Sequence, residues 1–249
     1  MVTLQEISET ISGAWHNSPN SVKSKGKYWI VFTGDSITSC EWVHPNWREI
    51  VEYVVKEELT VLIGDWKTSE WAIRTFNFGY DGATTKDILG KVPDINLVNP
   101  DLVISIMGGN DPTFKIGVAE HVENIKKIIE RLNTKVVWCT STPAAEGSRK
   151  NPEYEPYAKA CMQIPQTERL TIIDMFNLYK EFPTEKFFTF TSEENPVENI
   201  KEGDPDPEHP NQLGNAYIAK VILKEVFGIE FDPEKYWKDT LAGEKYPEY

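Results

Sequence analysis

Tyr28-Trp29-Ile30-Val31-Phe32, followed by Gly34-Asp35-Ser36-Ile37-Thr38, is the stretch whose reading decides the fold. The first run is β-branched and aromatic and has the length of a buried strand. The second is a small, polar turn. Pro45-Asn46-Trp47-Arg48-Glu49-Ile50-Val51 then reads as a helix with a proline near its start. Ser36 therefore falls just past the carboxyl end of a strand, the edge where open α/β sheets bind ligands. A serine there is a nucleophile if a base and an oxyanion site reach it. Otherwise Asp35 and Ser36 only cap the turn.

Outward from this stretch the same alternation repeats. Residues 4–15 carry Leu4, Ile7, Ile11 and Trp15 at helical spacing, and a polar linker covers 18–27. A helix is expected over 47–58 and a short strand over 60–63. A further strand is expected over 70–78, and a short helix over 84–89. Asp101-Leu102-Val103-Ile104-Ser105-Ile106-Met107 is the clearest buried strand and runs into Gly108-Gly109-Asn110-Asp111. A helix over 118–132, a strand over 135–139, a helix over 154–164 and a strand over 170–174 follow, then a helical turn over 176–181. Residues 182–203 show no clean period, and a stretch of that length is usually functional or mobile. A last helix is expected over 210–227. Leaving aside the short run at 60–63, five main strands alternating with helices predict an α/β fold with a five-stranded parallel sheet in one domain. Its core spans 28–227, with an amino-terminal helical extension at 1–27 and an aromatic tail at 228–249.

The 249 residues carry a formal net charge of −13. That acidity disfavours nucleic acid and anionic membrane surfaces as partners. No apolar run approaches the roughly 20 residues of a membrane span. The amino terminus has no basic segment followed by an apolar one, so a cytoplasmic location is expected unless the chain has been trimmed. Cys40, Cys139 and Cys161 are widely spaced, which fits a reducing compartment. Cys40 reads as a small packing residue. There is no dinucleotide fingerprint, phosphate loop, His-Glu-x-x-His zinc site or Gly-x-Ser-x-Gly elbow.

Polar turns follow three strands, at Ser36, at Gly79 and at Gly109-Asn110, and Asp206-Pro207-Glu208-His209 precedes the last helix. Acyl transfer needs a nucleophile, a base, a group orienting the base and donors for the oxyanion. Four stretches resemble, in order, the blocks of the GDSL or SGNH hydrolase superfamily. They are Gly34-Asp35-Ser36-Ile37, Asn77-Phe78-Gly79, Gly108-Gly109-Asn110-Asp111 and Asp206-Pro207-Glu208-His209.

The resemblance implies a flavodoxin-like three-layer α/β/α sandwich and serine esterase or lipase chemistry with no metal or cofactor. Ser36 would be the nucleophile, His209 its base and Asp206 the group orienting His209. The Ser36 and Gly79 N–H groups and the Asn110 side chain would form the oxyanion hole. Asp204 is the alternative orienting carboxylate. The simpler alternatives are a positive-φ turn at Gly79 and turn caps at Asn110 and Asp111. His16, His44 and His121 are expected as surface or packing histidines, and Trp42, Trp47, Trp66 and Trp71 as core residues.

The expected substrate is a small ester, most simply an acetyl group on a carbohydrate. Trp66, Trp71, Phe187 and Phe188 would present flat faces to the sugar. One alternative is a lysophospholipase or thioesterase for longer acyl chains, with 182–203 as an apolar lid. The other is a glycan-binding protein without turnover.

Overall fold

The computed structural model describes residues 2–12, 26–39, 42–191 and 202–236. Trp15, His16, most of the polar linker, Cys40, Trp237, Tyr246, Tyr249 and residues 192–201 lie outside them.

Five strands form one sheet: β1 (Tyr28–Gly34), β2 (Ile73–Gly79), β3 (Leu102–Ile106), β4 (Lys135–Cys139) and β5 (Leu170–Ile173). Every neighbouring pair is parallel, and the order is β2-β1-β3-β4-β5. This is the flavodoxin-like order, with its switch point between β1 and β3. The helices are α1 (Leu4–Ile11), α2 (Trp47–Ile63), α3 (Trp66–Ala72), α4 (Thr85–Val98), α5 (Asn110–Thr113), α6 (Val118–Arg131), α7 (Lys150–Cys161), α8 (Met175–Leu178), α9 (Gln212–Phe227) and α10 (Pro233–Tyr236).

Side-chain alternation along the strands builds the three layers. Ile30, Phe32, Leu102, Ile104, Ile106, Val137 and Cys139 pack on one side with residues of α1, α2 and α9. Val31, Val103, Val136, Trp138 and Ile172 pack on the other with residues of α4 and α6. Both faces are covered, which is why β3 is buried along its whole length and carries four apolar residues around the single polar Ser105. The expected five-stranded parallel α/β fold is therefore the observed one. α1 is built into the first layer, with Ile7 and Ile11 fully buried and Val2 N–H donating to Val226 O of α9.

Three local expectations differ. Residues 60–63 are the last turn of α2, not a strand. Val61 is exposed there, and Gly64 closes the helix in the left-handed conformation (φ 74°). The strand expected from residue 70 starts at Ile73, because Asp65 caps α3 by accepting from Lys67 N–H. The short helix expected over 84–89 runs to Val98 through Pro93, since Ile88, Val92 and Ile95 keep an apolar stripe on the core.

Candidate active site

The turn after β1 is shaped by what surrounds it. At Gly34 (φ +154°) a Cβ would lie 2.2 Å from the Ile106 carbonyl oxygen of β3, so only glycine fits. The chain then makes one helical turn, with Thr38 N–H and Ser39 N–H donating to Asp35 O. Its outward carbonyls are satisfied from the start of α2. Asn46 Nδ2 donates to Ile37 O (3.0 Å) and Ser39 O (3.1 Å), Trp47 Nε1 to Ile37 O (3.0 Å) and Arg48 Nε to Thr38 O (3.2 Å). Trp47 is fully buried and stacks edge-on to Phe32 of β1. Strand, turn and helix are thereby locked to one another, and Ser36 is presented at the sheet edge.

His209 Nε2 lies 2.8 Å from Ser36 Oγ, and His209 Nδ1 lies 2.7 Å from Asp206 Oδ2. The other carboxylate oxygen of Asp206 accepts from Glu208 N–H (2.8 Å) and His209 N–H (3.1 Å). Burial pushes the Asp206 carboxyl up, but its hydrogen bonds from His209 and the two backbone N–H groups outweigh this and hold it below the usual carboxylate range. A carboxylate at Nδ1 keeps the ring proton there and leaves Nε2 to accept from Ser36. Asp204 is exposed, and the carboxylate against His209 is that of Asp206.

Gly79, the last residue of β2, and Gly82, just beyond it, divide the roles expected of one glycine. Gly79 N–H donates to Asn77 Oδ1 (2.9 Å), and Gly79 does not line the cavity beside Ser36. Nor does it hold a positive φ. A Cβ there would meet Ser39 N at 2.5 Å, so Gly79 lets β2 approach the nucleophile turn. Gly82 lines the cavity in the left-handed conformation (φ +69°), and among the described residues no hydrogen bond engages its N–H. The oxyanion assignment of Gly79 is corrected accordingly: its N–H is already taken, and Gly82 holds the cavity position. Asn110 opens α5 and lines the same cavity, with one amide N–H donating to Ala83 O (3.1 Å). The second amide hydrogen is left for a ligand.

Behind Asn110, the fully buried Asp111 carboxylate accepts from Thr85 N–H (2.8 Å), Thr85 Oγ (2.6 Å) and His121 Nδ1 (2.7 Å). This network ties the start of α4 to the start of α5, and with them the Gly82 turn to Asn110. His121 is the packing histidine expected, and His44 is exposed beside Glu49.

Asp35 lies under the turn with its carboxyl lifted to about 7 by complete burial, only partly offset by the Ile37 N–H that donates to Oδ1.

The cavity has a volume of about 130 Å³. Ile37, Pro143, Ala144 and Phe114 give it apolar wall, and Asp81, Thr113, Ser141 and Glu208 give it polar groups. Glu208 is held by Tyr154 OH (2.9 Å) and the buried Lys150 ammonium (3.2 Å). Trp42 also lines it, 39 % exposed and stacked on His209. The aromatic expectations are revised here. Trp47 is core, but Trp42, Trp66 and Trp71 are exposed, while Phe187 is buried under α9 and offers no face to a ligand. Trp42, Gly82, Glu208 and Tyr154 escaped sequence reasoning. Two of them had a local signal: Gly82, as the second glycine of Gly79-Tyr80-Asp81-Gly82, and Glu208, inside the Asp206-Pro207-Glu208-His209 block.

Residues 32–217 match the model of the GDSL-like lipase/acylhydrolase family. A curated relative, GDSL esterase/lipase CPRD49 of Arabidopsis thaliana, is 23 % identical over 236 residues, covering 84 % of this chain and 82 % of that protein. Among solved structures, a variant of Axe2, an acetylxylan esterase from Geobacillus stearothermophilus, superposes with a TM-score of 0.62 at 19 % identity, covering 82 % of this chain and 96 % of the other. A member of the lipolytic G-D-S-L family from Veillonella parvula gives 0.60 at 15 % identity, covering 80 % and 98 %.

Proposed function

Because the chain belongs to the GDSL-like lipase/acylhydrolase family, an SGNH-type ester hydrolase, we propose that it is a serine esterase removing a small acyl group, acetyl in the first instance, from a carbohydrate ester. Ser36 Oγ attacks the ester carbonyl while His209 Nε2 takes its proton. The tetrahedral oxyanion is met by the N–H groups of Ser36 and Gly82 and by the Asn110 amide. The imidazolium, steadied by Asp206, then protonates the departing alcohol. Water activated by the same imidazole adds to the acyl-enzyme, and Ser36 is regenerated with release of the acid.

The observation that carries the small-acyl reading is the cavity. About 130 Å³ beside Ser36 is comparable to a void that holds one benzene ring, of order 150 Å³, and is too small for an extended acyl tail. The carbohydrate half of the reading is supported by the hydroxyl-accepting groups at its wall, Glu208 and Asp81, and by the Trp42 face beside them. The acetylxylan esterase named for Axe2 adds analogy. Phe182 and Phe188 pack against the core and Phe187 lies inside it, so this part of the long stretch is not an apolar lid.

A chain-length series of p-nitrophenyl esters tests the proposal. kcat/KM should peak at acetate, with acetate released from an acetylated xylo-oligosaccharide. Each methylene buried in a fitting pocket adds about 0.8 kcal/mol, so a peak at octanoate or beyond would replace this reading with the thioesterase or lysophospholipase one. Binding of the oligosaccharide with no ester turnover would leave only the glycan-binding one.

A further inference from the structure

We propose that Trp42 is a positioning residue for His209: its indole fixes the plane of the imidazole and stabilises the imidazolium that forms as Ser36 attacks. The inference rests on His209 being the base of a serine esterase.

The two rings lie face to face, with centroids 3.7 Å apart and planes within 5° of parallel. Ordinary core packing does not put the indole there. Trp42 is 39 % exposed and belongs to none of the buried clusters. What holds it is its own polar edge, Nε1–H donating to Asp81 Oδ1 at 2.9 Å. Asp81 immediately precedes Gly82 in the oxyanion turn. One side chain therefore spans the two halves of the machinery, stacked on the base at one end and hydrogen-bonded to the donor loop at the other.

The faces of the imidazole are then unequal. Asp206 takes Nδ1, Ser36 takes Nε2, and the indole covers one face. Among the described residues, the titratable groups around this ring are the Asp206 carboxylate, the buried Asp35 beneath the turn, Glu208 with its Lys150 and Tyr154 partners, and Asp81 on the far edge of Trp42. An aromatic face attracts a cation far more than a neutral ring. The stack therefore strengthens as His209 gains the Ser36 proton, and an interaction that is stronger in the transition state raises turnover without tightening substrate binding. With its edge tied to Asp81, the indole also limits the ring to rotations that keep Nε2 on Ser36.

The experiment uses the full chain with p-nitrophenyl acetate. Trp42→Ala should lower kcat by about ten- to thirtyfold while KM stays within about twofold. Trp42→Phe, which restores a stacking face, should recover most of the loss. A protonated imidazole in van der Waals contact quenches indole emission. The emission difference between the wild type and Trp42→Phe should therefore fall as the pH is lowered, and that fall should vanish in a His209→Ala background. Wild-type kcat in Trp42→Ala, a loss confined to KM, no rescue by phenylalanine, or a pH response that persists without His209 would each overturn the proposal. Failure of the underlying esterase reading looks different: His209→Ala itself would then turn over the ester at the wild-type rate.

Discussion

His209 Nε2 and Ser36 Oγ lie 2.8 Å apart, although the two residues are 173 positions apart in the sequence. That contact joins the turn after β1 to the loop before α9. Under the proposed function this contact is what makes an ordinary hydroxyl a nucleophile, because an imidazole nitrogen stands where it can take the proton.

The first prediction follows from it. Ser36→Ala should abolish p-nitrophenyl acetate hydrolysis and covalent labelling by a fluorophosphonate, while circular dichroism and melting temperature stay those of the wild type. Asp206→Asn should keep the fold and lose on the order of a thousandfold in kcat, since an amide at Nδ1 no longer fixes the ring proton there. Labelling of Ser36→Ala at the wild-type rate would remove Ser36 from the chemistry.

The second concerns the two glycines and Asn110. Asn110→Ala should lower kcat by on the order of a hundred- to a thousandfold with little change in KM, the signature of a donor used on the oxyanion. Gly82→Ala, at φ +69° with open space for a Cβ, should lose turnover out of proportion to its loss of stability. Gly79→Ala should do the reverse: its Cβ collides with Ser39 N and Thr38, so the protein melts earlier. Comparing kcat with melting temperature for the pair decides the matter. A turnover loss in Gly79→Ala without a drop in melting temperature would restore Gly79 as the donor.

The third is a pH dependence. Burial lifts the Asp35 carboxyl to about 7 in the folded protein, against about 3.9 when unfolded. Between those values the folded state holds a proton that the unfolded state has released. The stability Asp35 contributes is therefore complete below the unfolded value and is lost as the pH rises through about 7. Asp35→Asn keeps an oxygen for the Ile37 N–H and has no charge to bury. Its melting temperature should gain on the wild type as the pH goes from 5 to 8. Parallel curves across that range would show that Asp35 stays in one ionisation state.

The sequence by itself determined the fold class and the chemistry. Apolar runs alternating with helical periods point to a parallel sheet, because strands buried on both faces are mostly apolar; the edge strand β2, with Arg74, Thr75 and Asn77, is the exception. Ser36, Asn110, Asp206 and His209 each stand in a short block beside a strand or helix end, and the resemblance of those blocks to the superfamily's singles them out as site candidates. The tertiary structure decided what depends on distant neighbours. Gly79 and Gly82 are three residues apart, yet the approach of Ser39 leaves no room for a Cβ at Gly79, while Gly82 lies open on the cavity wall. The sequence puts Trp47 on a helix and Trp42 on none, but nothing near Trp42 in the chain says what its ring will meet. Trp47 sits in the first turn of α2 facing Phe32, whereas Trp42 meets a histidine from the far end of the chain. Asp35 is a polar turn residue in sequence and a carboxyl titrating near neutrality only because the layers close over it. Patterns of period two and three and a half record which face of an element is buried, and they carry no information about which residue from another element will lie against it.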